Sequence, residues 1–261
     1  MKEFEEKEDR MNAADADHGL YAASIVPDEA TLDEEEVERL VDAAAEVVDC
    51  MRVLAKGGTN IVAEILGGRE FIQYEHYPPG DVYDPETHGQ FYFHAHPPGR
   101  GRHDDYGHFH TFLRPKGMPD GTRPAPLPGD DAPEGDNAAL CHLVAISMDR
   151  WGRPVRLFTT NRWVTAETWY GAADVIACVE RFDMDVAHPS WPLNRWITAL
   201  VSLYRRPIRD LVRKRDRVVD EWRSNNPDVD VFEDRALEVT SSLDIDLERT
   251  LAEVRRVSGL E

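Results

Sequence analysis

Apolar residues recur at two different spacings along this chain, and the changes of spacing divide it into three parts. Val37, Leu40, Val41, Ala44, Val47, Val48, Met51 and Leu54 follow one another at intervals of three and four. That is one buried stripe on an amphipathic helix. Thr31 followed by Glu34 has the form of a capping box at its start, and Gly57 and Gly58 supply the left-handed turn at its end. The pattern predicts a helix over 31–56 and a shorter one over 60–66.

From Arg69 the runs become short and separated by Pro and Gly. Strands are expected over 70–77, 90–96, 108–114, 140–148 and 155–160, the last two joined by a hairpin at Asp149-Arg150-Trp151-Gly152-Arg153. After Tyr170 the helical spacing returns. Val175, Ile176, Val179 and Phe182 make one stripe, and Trp191, Trp196, Leu200, Leu203 and Tyr204 another. Pro207 bends or restarts the helix, and a last one is expected over 243–257. The expected fold is α+β: an antiparallel sheet of about five strands within 69–160, packed against N-terminal and C-terminal helices. One domain is expected over 31–261, made of the helix 31–56, the sheet 69–160 and a helical part 170–258. Residues 1–30, polar and aperiodic, read as a disordered lead-in. The segment 115–137, rich in Pro, Gly and Asp, is too long for an ordinary connection and reads as a lid or a tolerated insertion.

Charge narrows the partners. Acidic residues outnumber basic ones 50 to 30 in 261 residues, a formal net charge of −20. Such a chain is repelled by phosphate backbones, so nucleic acid is not the expected partner. No apolar run approaches the roughly 20 residues of a membrane span, and the first residues lack the apolar core of a signal peptide. The three cysteines form no CxxC pair, which fits a reducing cytoplasm.

Chemistry concentrates in the histidines. Of ten, most lie between His76 and His110. Alternation puts His94 and His96 on one face of their strand, and His108 and His110 on one face of the next. His76 and His142 lie on the flanking strands and can join them if the strands pair in chain order. Neutral imidazoles converging from adjacent strands are a site for a divalent ion, with iron favoured, zinc next and copper in range. His94-x-His96 resembles the H-x-H strand of metal-binding cupins over those three residues, but Pro97, Pro98, Gly99 and Arg100 stand where cupins place a glutamate.

The functional reading is a mononuclear metalloenzyme, with non-heme iron redox chemistry on a small anionic molecule. The alternatives are a zinc-dependent hydrolase and a non-catalytic metal-binding or pH-sensing protein. A metal-free polar cluster is the bland reading of the same residues. Tyr92, in phase with His94, is expected to donate a hydrogen bond in the pocket. Arg100 would bind an anion, and His103 would transfer a proton, with Asp104 and Asp105 as outer carboxylates. The pocket is expected to be floored by the sheet and roofed by helices. Phe91 and Phe93 on the opposite face need cover too, from a loop or a second subunit of a homo-oligomer. Cys141 beside His142 makes no nucleophile pair, since neighbours on a strand face opposite ways. Nucleophile-elbow, Walker and Rossmann motifs are all missing from the sequence.

Overall fold

A computed structural model describes residues 19–20, 32–96, 105–126, 135 and 137–259. Its centre is a sheet of six antiparallel strands: β2 (Tyr77–Tyr83), β3 (Gly89–His94), β4 (Gly107–Leu113), β5 (Cys141–Met148), β6 (Pro154–Thr160) and β7 (Val239–Asp244). They lie side by side in chain order, and the two-residue β1 (Gly19–Leu20) adds a parallel pairing on the outer edge of β7. The helices are α1 (Glu34–Lys56), α2 (Ile61–Leu66), α3 (Arg162–Thr165), α4 (Ala172–Val179), α5 (Trp191–Leu203), α6 (Arg205–Asn225) and α7 (Leu247–Ser258). Among the described residues no helix is long and apolar enough to cross a membrane.

Strand alternation decides which face the helices take. Phe91, Phe93 and Phe109 point to one side, and the Phe109 ring meets Trp196 of α5 with centroids 5.8 Å apart. On the same side the Ser241 hydroxyl of β7 donates to the Leu211 carbonyl of α6 at 2.9 Å. α4 packs on β5 and α6, while α1 packs on α5 and α7. Burial of these side chains, at about 25 cal/mol per Å² of apolar surface, is the main force holding the layers together. The histidines alternate with the phenylalanines and so face away from these helices. The expected roof of helices over the histidines is therefore on the other side of the sheet.

Several boundaries move, each for a physical reason. The first helix starts at Glu34 and is capped by Asp33, whose carboxylate accepts from the Glu36 amide at 2.8 Å. The expected capping box loses to this carboxylate, and Thr31 lies outside the described residues. The strand expected over 70–77 instead begins at Tyr77 and runs to Tyr83, through Pro78 and Pro79. Prolines have no N–H to give a neighbour, and β2 is an edge strand that needs none on its outer side. β7 has no counterpart among the expected elements: the last helix was expected from residue 243, but Val239–Asp244 pairs with β6 and Asp246 caps α7 from Leu247. Pro207 falls in the first turn of α6, so it restarts the helix.

Of the segment 115–137, Pro115–Gly117 forms one 3₁₀ turn, and the Ala125 amide donates to the Trp169 carbonyl at 2.8 Å. Residues 127–134 and 136 lie outside the described residues, as do 1–18 and 21–30 of the expected lead-in.

Gly107 opens β4 where two strands approach too closely for any side chain. A Cβ there would stand 2.4 Å from Phe93 Cζ and 2.8 Å from the His94 carbonyl oxygen. Gly107→Ala is expected to lower stability by about 1–3 kcal/mol, the usual cost of overpacking, read as a shift of the urea midpoint. An unchanged midpoint would show that the β3–β4 ends are free to part.

Candidate metal centre

The histidine face is assembled by register. His94 of β3 pairs with His108 of β4, and Tyr92 with His110. On the far side of β4, His108 pairs with Ser147 and His110 with Ala145 of β5. Regular alternation would put His142 with Val144, Ile146 and Met148 on the helix-covered face. A register shift prevents this: Thr111 pairs with Val144, but Phe112 pairs with His142, leaving Leu143 as the extra residue. This bulge turns His142 to the histidine face.

Three of these side chains converge. Donor nitrogens of His94, His108 and His110 all lie within 4.8 Å of one another, and all three residues are buried. His94 Nε2 and His108 Nε2 are 2.8 Å apart. His108 Nδ1 lies 3.1 Å from the Asp105 carboxylate. His110 Nδ1 lies 3.0 Å from His142 Nε2, and His110 Nε2 is buried without a hydrogen-bond partner.

A metal ligand must offer a lone pair, so the state of these rings matters. Burial, reinforced by His108, His96 and His76, holds the His94 imidazolium down to about 2. Burial also holds His110 well below its ordinary value, helped by His142, His108 and His94. These rings are neutral at pH 7. When His108 donates Nδ1–H to Asp105 and leaves its Nε2 bare, the 2.8 Å contact takes the proton of His94 Nε2. A divalent ion can stand in that proton's place. At about 2.0–2.1 Å from each nitrogen, a tetrahedral ion sets its ligands about 3.3 Å apart. The two rings need to part by only a fraction of an ångström. The donor set fits a divalent metal.

The other candidate residues surround this group. His96 lies two residues beyond the end of β3, its ring stacked on His108 at 5.3 Å and edge-on to His94 at 4.9 Å. His76 is not in a strand: its ring stacks on Tyr92 at 3.7 Å, and its Nδ1 meets Asp81 at 3.1 Å. Asp81 also accepts from the Gln90 side chain at 2.7 Å. His142 touches His110 and Phe112. Tyr92 is buried between His76, His94, His110 and Phe112, and burial raises its phenol further above its ordinary range. Arg100, His103 and Asp104 lie outside the described residues.

Three neighbours lacked a strong local signal. Phe158 of β6 sets its ring edge 5.3 Å from His108. Glu167 accepts the His142 amide at 2.7 Å. Asp81 sits at φ +60 inside the β2 bulge. Phe158 and Glu167 are hidden by their separation in the sequence, and Asp81 reaches His76, five residues away, only through the irregular turn of β2.

Residues 41–245 match a family described as a domain of unknown function (DUF6969). Neither a curated protein nor a solved structure matches the chain.

Proposed function

We propose that this chain, which belongs to the DUF6969 family, holds one divalent ion on His94, His108 and His110 and uses it as a mononuclear metalloenzyme. The carrying observation is the convergence of three buried histidines whose donor nitrogens lie within 4.8 Å of one another, together with a His110 Nε2 that is buried without a hydrogen-bond partner. A buried polar nitrogen without a partner costs free energy, and a bound ion removes that cost. Three uncharged ligands leave an ion's double positive charge uncompensated in the first shell. This favours a small anionic substrate, and iron(II) redox chemistry is the reading we favour, ahead of zinc-assisted hydrolysis.

The chain's own groups supply the rest. Asp105 accepts from His108 and so fixes which of its nitrogens is bare. Tyr92 remains a neutral phenol and serves as a hydrogen-bond donor beside the site. Phe158 and Phe112 close it with apolar edges, which strengthens electrostatic contacts by excluding water.

Element analysis of protein purified without chelators tests the reading. One equivalent of iron or zinc per chain is expected. Metal-free protein should take up one equivalent of Fe²⁺, Zn²⁺ or Co²⁺, the single proton of neutral His94 moving from Nε2 to Nδ1 as the ion takes its place. Failure to bind any of them would leave a hydrogen-bonded histidine cluster and end the metal reading.

A further inference from the structure

His142 has the right chemistry for a fourth ligand, and its place in the sheet gives it a different task. Its Nε2 lies 3.0 Å from His110 Nδ1, the nitrogen on the other side of the ring from the unpartnered Nε2. For His110 to present a bare Nε2, its single proton must be on Nδ1. That N–H then donates to His142 Nε2. We propose that His142 is the positioning residue of the metal centre: its imidazole accepts the His110 Nδ1–H and holds that ring in the tautomer and rotation that leave Nε2 bare for the ion.

The surroundings are built for this contact. Both rings are buried, so no water competes for the proton. The bulge between Thr111 and Phe112 brings His142 to the histidine face; without the extra Leu143 it would point among the helices. Its backbone is fixed from the other side, where a Glu167 carboxyl oxygen accepts the His142 amide at 2.7 Å. β6 does not pair there: its ladder with β5 starts at Ala145–Phe158. Glu167 thus replaces a missing ladder bond at the residue whose ring orientation matters. Burial keeps that carboxyl protonated, and the Arg215 guanidinium, over the face of Trp169 at 4.0 Å, counters only part of the effect. The support therefore runs from Glu167 to His142 to His110. His108 receives the same service from Asp105, so two of the three ligands have a dedicated acceptor and neither acceptor occupies the ion. With His142 so engaged, the ion keeps coordination positions for substrate, as a catalytic site must.

This inference rests on the metal reading, and two measurements keep them apart. In metal-free protein, ¹⁵N spectra of the histidine rings should show His110 protonated at Nδ1 and bare at Nε2. In His142→Ala that preference is lost. Co²⁺ titrations of the holo site should show a 10–100-fold weaker affinity in His142→Ala, the usual effect of removing an outer partner. X-ray absorption should still count three imidazoles. His142→Gln, whose side-chain carbonyl can accept the same proton, should recover most of the affinity. A wild-type His110 protonated at Nε2 overturns the inference whether or not metal binds. So does unchanged affinity in His142→Ala, or the loss of one imidazole from the cobalt shell, which would make His142 a ligand. Wild-type protein that takes no Co²⁺ sinks the metal reading by itself.

Discussion

His94→Phe empties the metal centre and leaves the protein folded. The substitution keeps a planar ring where His94 meets His76, Tyr92, His96, His108 and His110 edge-on, so packing of the face survives. It removes the nitrogen that faces His108. Structural zinc sites gain about 10–16 kcal/mol from their ligands together, so one lost ligand of a few costs roughly 3–4 kcal/mol. Metal affinity should fall by about two to three decades, and protein purified from cells should carry well under one equivalent. His76→Ala is the matched control. That ring is bonded to Asp81 and stands outside the converging group, so its loss should leave the stoichiometry at one. Isothermal titration with Zn²⁺, beside circular dichroism for folding, reads both. Equal affinity in wild type and His94→Phe would move the site elsewhere.

The metal-free protein is expected to be most stable near pH 6.5 and to weaken steeply in mild acid. Burial keeps His94 at about 2 and His142 at about 3, and His110 well below its ordinary value. The unfolded chain takes up these protons near 6.5. Below that pH it binds more protons than the native state, so each step down favours unfolding, by up to about 1.4 kcal/mol per pH unit for each ring. Glu167 works the other way. Burial pushes its carboxyl up to about 8 from 4.5, so the native state binds that proton first. Stability from this group rises as pH falls from about 8 to 4.5. Between 6.5 and 4.5 it offsets one ring of three, leaving a loss of roughly 2–3 kcal/mol per pH unit. Below 4.5 nothing offsets the rings. Urea midpoints from pH 4.5 to 8.5 should trace this asymmetric dome, and saturating Zn²⁺ should flatten its acid side. A midpoint that holds or rises from pH 6.5 to 4.5 contradicts neutral buried imidazoles.

Local chemistry made much of this legible from sequence. The stripe from Val37 to Leu54 is α1, and His94, His108 and His110 come from neighbouring strands where Phe93 and Phe109 alternate with them to the other face. What stayed hidden depends on position in the sheet. Pro78 and Pro79 read as a turn because nothing in the sequence says their strand is at an edge. Val239–Asp244, with Thr240, Ser241 and Ser242 at its centre, has too little alternation to announce a strand. It becomes one because Thr159 of β6 can meet Ser241 and Thr240 with hydroxyl hydrogen bonds of 2.6 and 2.8 Å. His96 was expected to share the site through strand periodicity, but β3 ends at His94 and the periodicity ends with it. His142 is expected beside the other histidines from strand pairing in chain order, although by count it belongs with Val144 and Ile146. Only a bulge, created by pairing across strands 30 residues apart in sequence, restores it to the histidines.

The two prolines of β2 also govern how copies of this protein can meet. A sheet grows by lending the free N–H and C=O groups of its border to another chain, and the β2 border has lost two of those N–H groups at Pro78 and Pro79. The four residues between Tyr77 and Val82 are further thrown out of register, with Gly80 and Asp81 both at positive φ. A second molecule finds no straight template there. At the opposite border Gly19 and Leu20 already occupy the rungs beside Ser242 and Leu243. Among the described residues, both borders of the sheet therefore offer little to strand-by-strand growth.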